Sequence, residues 1–144
     1  MGSTVSDSSR SLGRLLVLLG LFALVVGCAR TDQAEVRAKV AGSYRLVLPE
    51  EVAKAVPEGA TPPDFRLDLK QDGTFELRSQ RMGVPDEVAS GAYTVLGARI
   101  TVAITRVDGH PAVGPERETL LFDAVAPYDS LKQGDGSVWK RIGG

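Results

Sequence analysis

The sequence predicts an all-β domain: a small antiparallel meander or barrel of about seven or eight short strands, with a short N-terminal helix and one short helix after the first strand. Three observations predict it. From Ala41 onward, short β-prone runs are separated by Gly, Pro and Asp at close spacing, the pattern of an antiparallel sandwich or barrel. Two of those runs, Phe65 to Lys70 and Phe75 to Arg78, alternate apolar and polar residues strictly, so each has one wet face. And 144 residues with 43% hydrophobic and 24% charged content suffice for one core and no more.

The chain divides into residues 1–27, 28–40 and 41–144. The first segment reads as an export signal. Arg10 and Arg14 form its positive end, Leu15 to Val26 its apolar stretch, and Gly27 a small residue at the boundary. A spanning helix needs roughly 20 apolar residues, so this stretch is short for a permanent span. Val25, Val26, Gly27 and Cys28 resemble the lipobox of bacterial lipoproteins, although Val25 stands where leucine is usual. The resemblance implies a diacylglyceryl group on Cys28, removal of the signal peptide, and a membrane anchor built from two or three acyl chains such as palmitate. One chain alone binds only marginally, at about 0.8 kcal/mol per buried methylene, whereas several together hold. Ordinary signal cleavage after Ala29 and burial of Cys28 as a core thiol are the alternatives. The expected place is the cell envelope. If the host has an outer membrane, Ala29 rather than aspartate after the cysteine resembles outer-membrane delivery, facing the periplasm.

A tether, Ala29 to Thr31, leads into a short helix. Asp32 and Glu35 have capping-box spacing, Val36 and Val40 share a face, and Gly42 closes the end. The first strand is expected over Ser43 to Leu48. A helix follows over Pro49 to Val56, where Pro49 suits the first turn, Glu50 and Glu51 complement the positive end, and Pro57 stops it.

Two hairpins can be argued to register. A two-residue turn at Asp72-Gly73 would set Leu69 opposite Glu76 and place a carboxylate on the buried face. A three-residue loop, Gln71 to Gly73, instead pairs Leu69 with Phe75 and Leu67 with Leu77, with Gly73 as the left-handed residue of a bulge. In the next hairpin, a tight Gly97-Ala98 turn already sets Val95 opposite Ile100 and Tyr93 opposite Val102. Later strands are expected over Glu118 to Val125 and Ser137 to Ile142. Pro57 to Pro63, Arg81 to Ala89 and Arg106 to Arg117 read as loops.

Gly42-Ser43-Tyr44, the Asp72-Gly73-Thr74-Phe75 hairpin, Gly91-Ala92-Tyr93 and Trp139-Lys140-Arg141 together resemble small lipocalin-like domains of bacterial secreted proteins. In lipocalins a Gly-x-Trp near the first strand packs against an arginine near the last. Gly42, Tyr44 and Arg141 match by position, with tyrosine for tryptophan. The resemblance implies a barrel and, in its ligand-carrying members, an apolar cavity.

Composition narrows the function. Seventeen basic and 18 acidic residues are interspersed, with a formal charge of −1, which disfavours nucleic-acid binding. A single cysteine excludes an intrachain disulfide and a thiol metal cluster. His110, the only histidine, sits between Gly109 and Pro111 and reads as a solvated turn residue. Asp86 with Glu87, and Glu116 with Glu118, are paired carboxylates in polar loop contexts. No catalytic set, cofactor or metal site is expected.

Two functions remain: a membrane-tethered structural or interaction module for an envelope protein or wall polymer, and a lipocalin-like binder of a small hydrophobic ligand. The binder would use a cavity lined by Phe65, Leu67, Leu69, Phe75, Leu77, Ile100 and Val102. Length favours the module, because an eight-stranded barrel is just wide enough to be filled by its own side chains.

Overall fold

The structure, a computed structural model, describes residues 33–143. The lipobox residues Val25, Val26, Gly27 and Cys28, the apolar stretch before them and the proposed cap Asp32 lie outside the described residues.

A helix, α1, covers residues 33–40 and runs into β1 (Gly42–Leu46). A one-turn helix, α2 (Glu50–Lys54), follows. Then come β2 (Asp64–Leu69), β3 (Thr74–Gln80), β4 (Glu87–Leu96) and β5 (Arg99–Val107). The two-residue strand β6 (His110–Pro111) precedes a 3-10 turn at Gly114–Glu116, and β7 (Thr119–Val125), β8 (Ser130–Gln133) and β9 (Val138–Ile142) complete the chain. Each long strand pairs antiparallel with the next in sequence, and β9 pairs back onto β1 with Tyr44 opposite Arg141. The eight long strands therefore close into an up-and-down antiparallel barrel, each pairing with a neighbour on both sides. β6 only extends the end of β5.

Both argued registers are present. Leu69 faces Phe75 and Leu67 faces Leu77, and Gly73 has φ 86°. Asp72 Oδ1 accepts the Thr74 N–H at 2.9 Å and its hydroxyl at 2.6 Å, which fixes the loop from within. Across the second hairpin, Val95 faces Ile100 and Tyr93 faces Val102, with Gly97 at φ 60°.

Several boundaries differ. β8 falls between the two final strands expected from sequence; with Leu131 its only buried residue, four residues carry too little alternation to announce a strand. β4 begins at Glu87 and β5 ends at Val107, so both extend into segments read as loops. His110 is exposed, in β6 rather than in a free turn. On β4–β5, Ser90 pairs with Arg106 but Gly91 with Ile104, leaving Thr105 as the extra residue of a bulge. This reverses the alternation on β5, whose inward residues change from Ile100, Val102 and Ile104 to Val107.

The strand directions give the barrel two unlike ends. Tyr44, Leu67, Leu69, Phe75, Tyr93, Val95, Ile100, Val102, Phe122 and Leu131 fill the end that meets α1, where Val40 is fully buried and Val36 packs against the core. Removing a side chain such as Leu67 to alanine there is worth about 2–5 kcal/mol. Arg141 binds this end together. Its Nη2 donates to the Lys39 carbonyl (2.6 Å) and the Tyr44 hydroxyl (2.8 Å), Nη1 to the Ala41 carbonyl (3.1 Å), and Nε to the Tyr128 carbonyl (3.0 Å). Gly42 beside it has φ 155°, which L side chains rarely adopt, and a Cβ there would also crowd Arg141 Nη1 at 2.8 Å. At the other end stand α2, the β3–β4 loop, the β5–β7 connection and the β8–β9 turn.

Candidate functional site

The inward faces meet one another only in the half of the barrel nearest α1. Towards the other end they part around an open cavity of about 530 Å³. Its floor and walls are apolar: Leu46 from β1, Phe65 from β2, Leu77 from β3, Ala89 from β4, Ile104 from β5, Leu120 from β7 and Trp139 from β9. The bulge at Thr105 adds Val107. Trp139 is held on two sides, its Nε1–H donating to Gln133 Oε1 at 3.0 Å and its ring meeting Phe122 edge-to-face at 5.9 Å between centroids.

Above the apolar walls the same inward positions become polar. Alternation carries β3 from Leu77 to Ser79 and β4 back from Ala89 to Glu87, and Arg81, Glu118 and Ser137 adjoin the ends of β3, β7 and β9 at the same parity as Leu77, Leu120 and Trp139. Gln133, Asp135 and Glu116 complete the rim. Arg81 Nη2 lies 3.8 Å from Glu87 Oε1, with both side chains about half exposed, a pair worth little in energy. Glu116 Oε2 accepts the Val113 N–H at 3.0 Å. Asp135 Oδ1 accepts the Ser137 N–H at 2.8 Å, and hydrogen bonds from Ser137 hold its carboxyl below the usual carboxylate range, so it is ionised at neutral pH.

Of the seven residues expected to line a cavity, Phe65 and Leu77 do so. Leu67, Leu69, Phe75, Ile100 and Val102 lie deeper, within the packed core. The rim residues were legible only in part. Glu87, Glu116 and Glu118 stand out in the sequence as members of carboxylate pairs, and the structure brings all three to one mouth while Asp86 lies outside it. The signal that finds Glu87 and Glu118 is parity: each lies two residues beyond an apolar inward position of its strand. Among the described residues no group of three His, Cys, Asp or Glu side chains is arranged to hold a metal ion, and no helix is long and apolar enough to cross a membrane.

The chain matches no family model, no curated protein and no solved structure.

Proposed function

We propose that this chain is a lipid-anchored, lipocalin-like envelope protein that holds a small molecule with an apolar body in the open end of its barrel, without catalysis. The observation that carries this reading is the cavity itself. At about 530 Å³ it falls within the range of small-molecule sites, and it combines an apolar floor with a few polar groups at the mouth, as such sites do. The Gly42, Tyr44 and Arg141 cluster at the opposite end supports the lipocalin-like reading of the fold.

The anchor in this proposal is lipid on Cys28, on the outer membrane facing the periplasm if the host has one.

Native mass spectrometry of the protein isolated from its own host tests the reading. It should show an adduct that is lost on denaturation, and adding back the extracted compound should raise the melting temperature, since a ligand that prefers the folded state stabilises it. Bare polypeptide mass throughout, with no compound from the host shifting the melting temperature, would count against a carrier.

A second reading, an interaction module for an envelope protein or wall polymer, is supported by exposed apolar residues in the segments at the mouth. Met82 and Val84 on the β3–β4 loop and Val113 before the 3-10 turn are all about half exposed or more. Site-specific crosslinking from position 84 in cells would give one discrete protein or polymer adduct on this reading, and none on the first.

A further inference from the structure

The apolar part of the cavity explains why a hydrophobic body would enter but leaves the rim unused. That rim is unbalanced in charge. Glu87, Glu116, Glu118 and Asp135 face the mouth, and Arg81 is the one cation among them. Arg81 can offset Glu87, its neighbour at 3.8 Å, and no more. The other three carboxylates are not consumed by their contacts. Glu116 accepts from the Val113 N–H and Asp135 from the N–H and side chain of Ser137, and neither carboxylate is in an ion pair among the described residues, so both keep their negative charge. Glu118 engages its neighbours through its backbone, and its carboxylate has no hydrogen bond or ion pair among the described residues. An opening lined by one sign of charge over low-dielectric walls focuses the field and concentrates the opposite charge.

Resting on the ligand-binding reading above, we infer that the cavity selects an organic cation: a molecule with an apolar body for the Phe65, Leu77 and Trp139 walls and an ammonium- or guanidinium-type group at the height of Glu118. An anionic amphiphile of the same body would bring its head against three carboxylates, and a neutral one would gain nothing from them. The rim therefore acts on head-group charge, and the floor on size and apolarity.

Three probes of one chain length test this: octyltrimethylammonium, octanol and octyl sulfate. Each is titrated below its aggregation concentration into the full chain in zwitterionic phospholipid nanodiscs, with empty nanodiscs as blank. Calorimetry gives affinities, and the emission of Trp139, the only tryptophan, reports on the cavity. The cation should bind about tenfold tighter than the alcohol, with the sulfate weakest, and the preference should shrink with added salt. Glu118→Gln and Glu116→Gln, both at exposed positions, should each narrow the gap between cation and alcohol. Equal binding of all three probes, or a sulfate preference, overturns the charge selection while the cavity reading stands. If none of the three binds, the cavity reading fails and this inference with it. Leu77→Trp, or Ile104→Trp if the first variant unfolds, should abolish binding of every probe and so ties the signal to this cavity.

Discussion

Arg141, three residues from the end of the chain, holds Tyr44 of the first strand in two ways: its guanidinium donates to the Tyr44 hydroxyl at 2.8 Å and its central carbon lies 5.1 Å from the ring centroid. The same group binds the carbonyls of Lys39, Ala41 and Tyr128, so one side chain joins α1, the closing strand pair and the β7–β8 turn. Arg141→Met removes all of these donors and leaves part-buried acceptors without partners, a loss of about 2–4 kcal/mol in urea unfolding. Arg141→Lys should recover only a part, because a point charge on a flexible stem cannot reproduce the fork. Full stability of Arg141→Met would show that the cluster is incidental to closure.

Alkaline pH should weaken the barrel. Burial pushes the Tyr44 hydroxyl above the ordinary phenol range, with Arg141 partly offsetting it, and burial does the same to Tyr93, whose hydroxyl donates to the Lys70 carbonyl at 2.6 Å. Both folded values lie above the unfolded one of about 10. Their contribution is therefore complete below about pH 10 and is lost as pH rises through the folded values. Melting temperature should hold up to about pH 10 and fall as pH rises above it, and Tyr93→Phe should flatten that fall. A pH-independent melting temperature across this window would contradict the assignment.

Two glycines should differ in the size and cause of their effects. Gly73→Ala forces an alanine to φ 86° and should cost roughly 1 kcal/mol or more, while Gln71→Ala at an exposed position of the same loop should be nearly neutral. Gly91→Ala should cost more than Gly73→Ala. The problem there is space, because a Cβ at Gly91 would collide with the Ala103 carbonyl oxygen and crowd the Phe75 ring. Chemical denaturation of the three variants gives the ranking, and equal losses at Gly73 and Gln71 would remove the basis for the bulged loop.

Cys28→Ser bears on the anchor. Without the sulfur the chain should take up no labelled lipid and should accumulate at precursor mass. Processing of this variant to the wild-type mature mass would sink the lipoprotein proposal.

The sequence by itself determined the strand-rich class, two hairpin registers and the residues of the Gly42–Tyr44–Arg141 cluster. The class and the registers depend on nearest neighbours and strict alternation: a three-residue loop is what sets Leu69 opposite Phe75, whereas the cluster was read from the resemblance to lipocalins. What only the tertiary structure decided is where the inward faces meet and where they part. Phe65 and Leu67 are indistinguishable as inward apolar residues of one strand, yet Leu67 is fully buried in the core and Phe65 lines the cavity. The difference arises from how far along the barrel each lies and from what the other seven strands place at that height. Near α1 the space is filled by Val40, Tyr44, Tyr93 and Phe122, whereas at the other end the inward positions shrink or turn polar at Ser79, Ala89 and Ser137. The carboxylate rim follows the same logic. Glu87 and Glu118 are 31 positions apart in sequence, and the pairing of β5 with both β4 and β7 brings them to one opening.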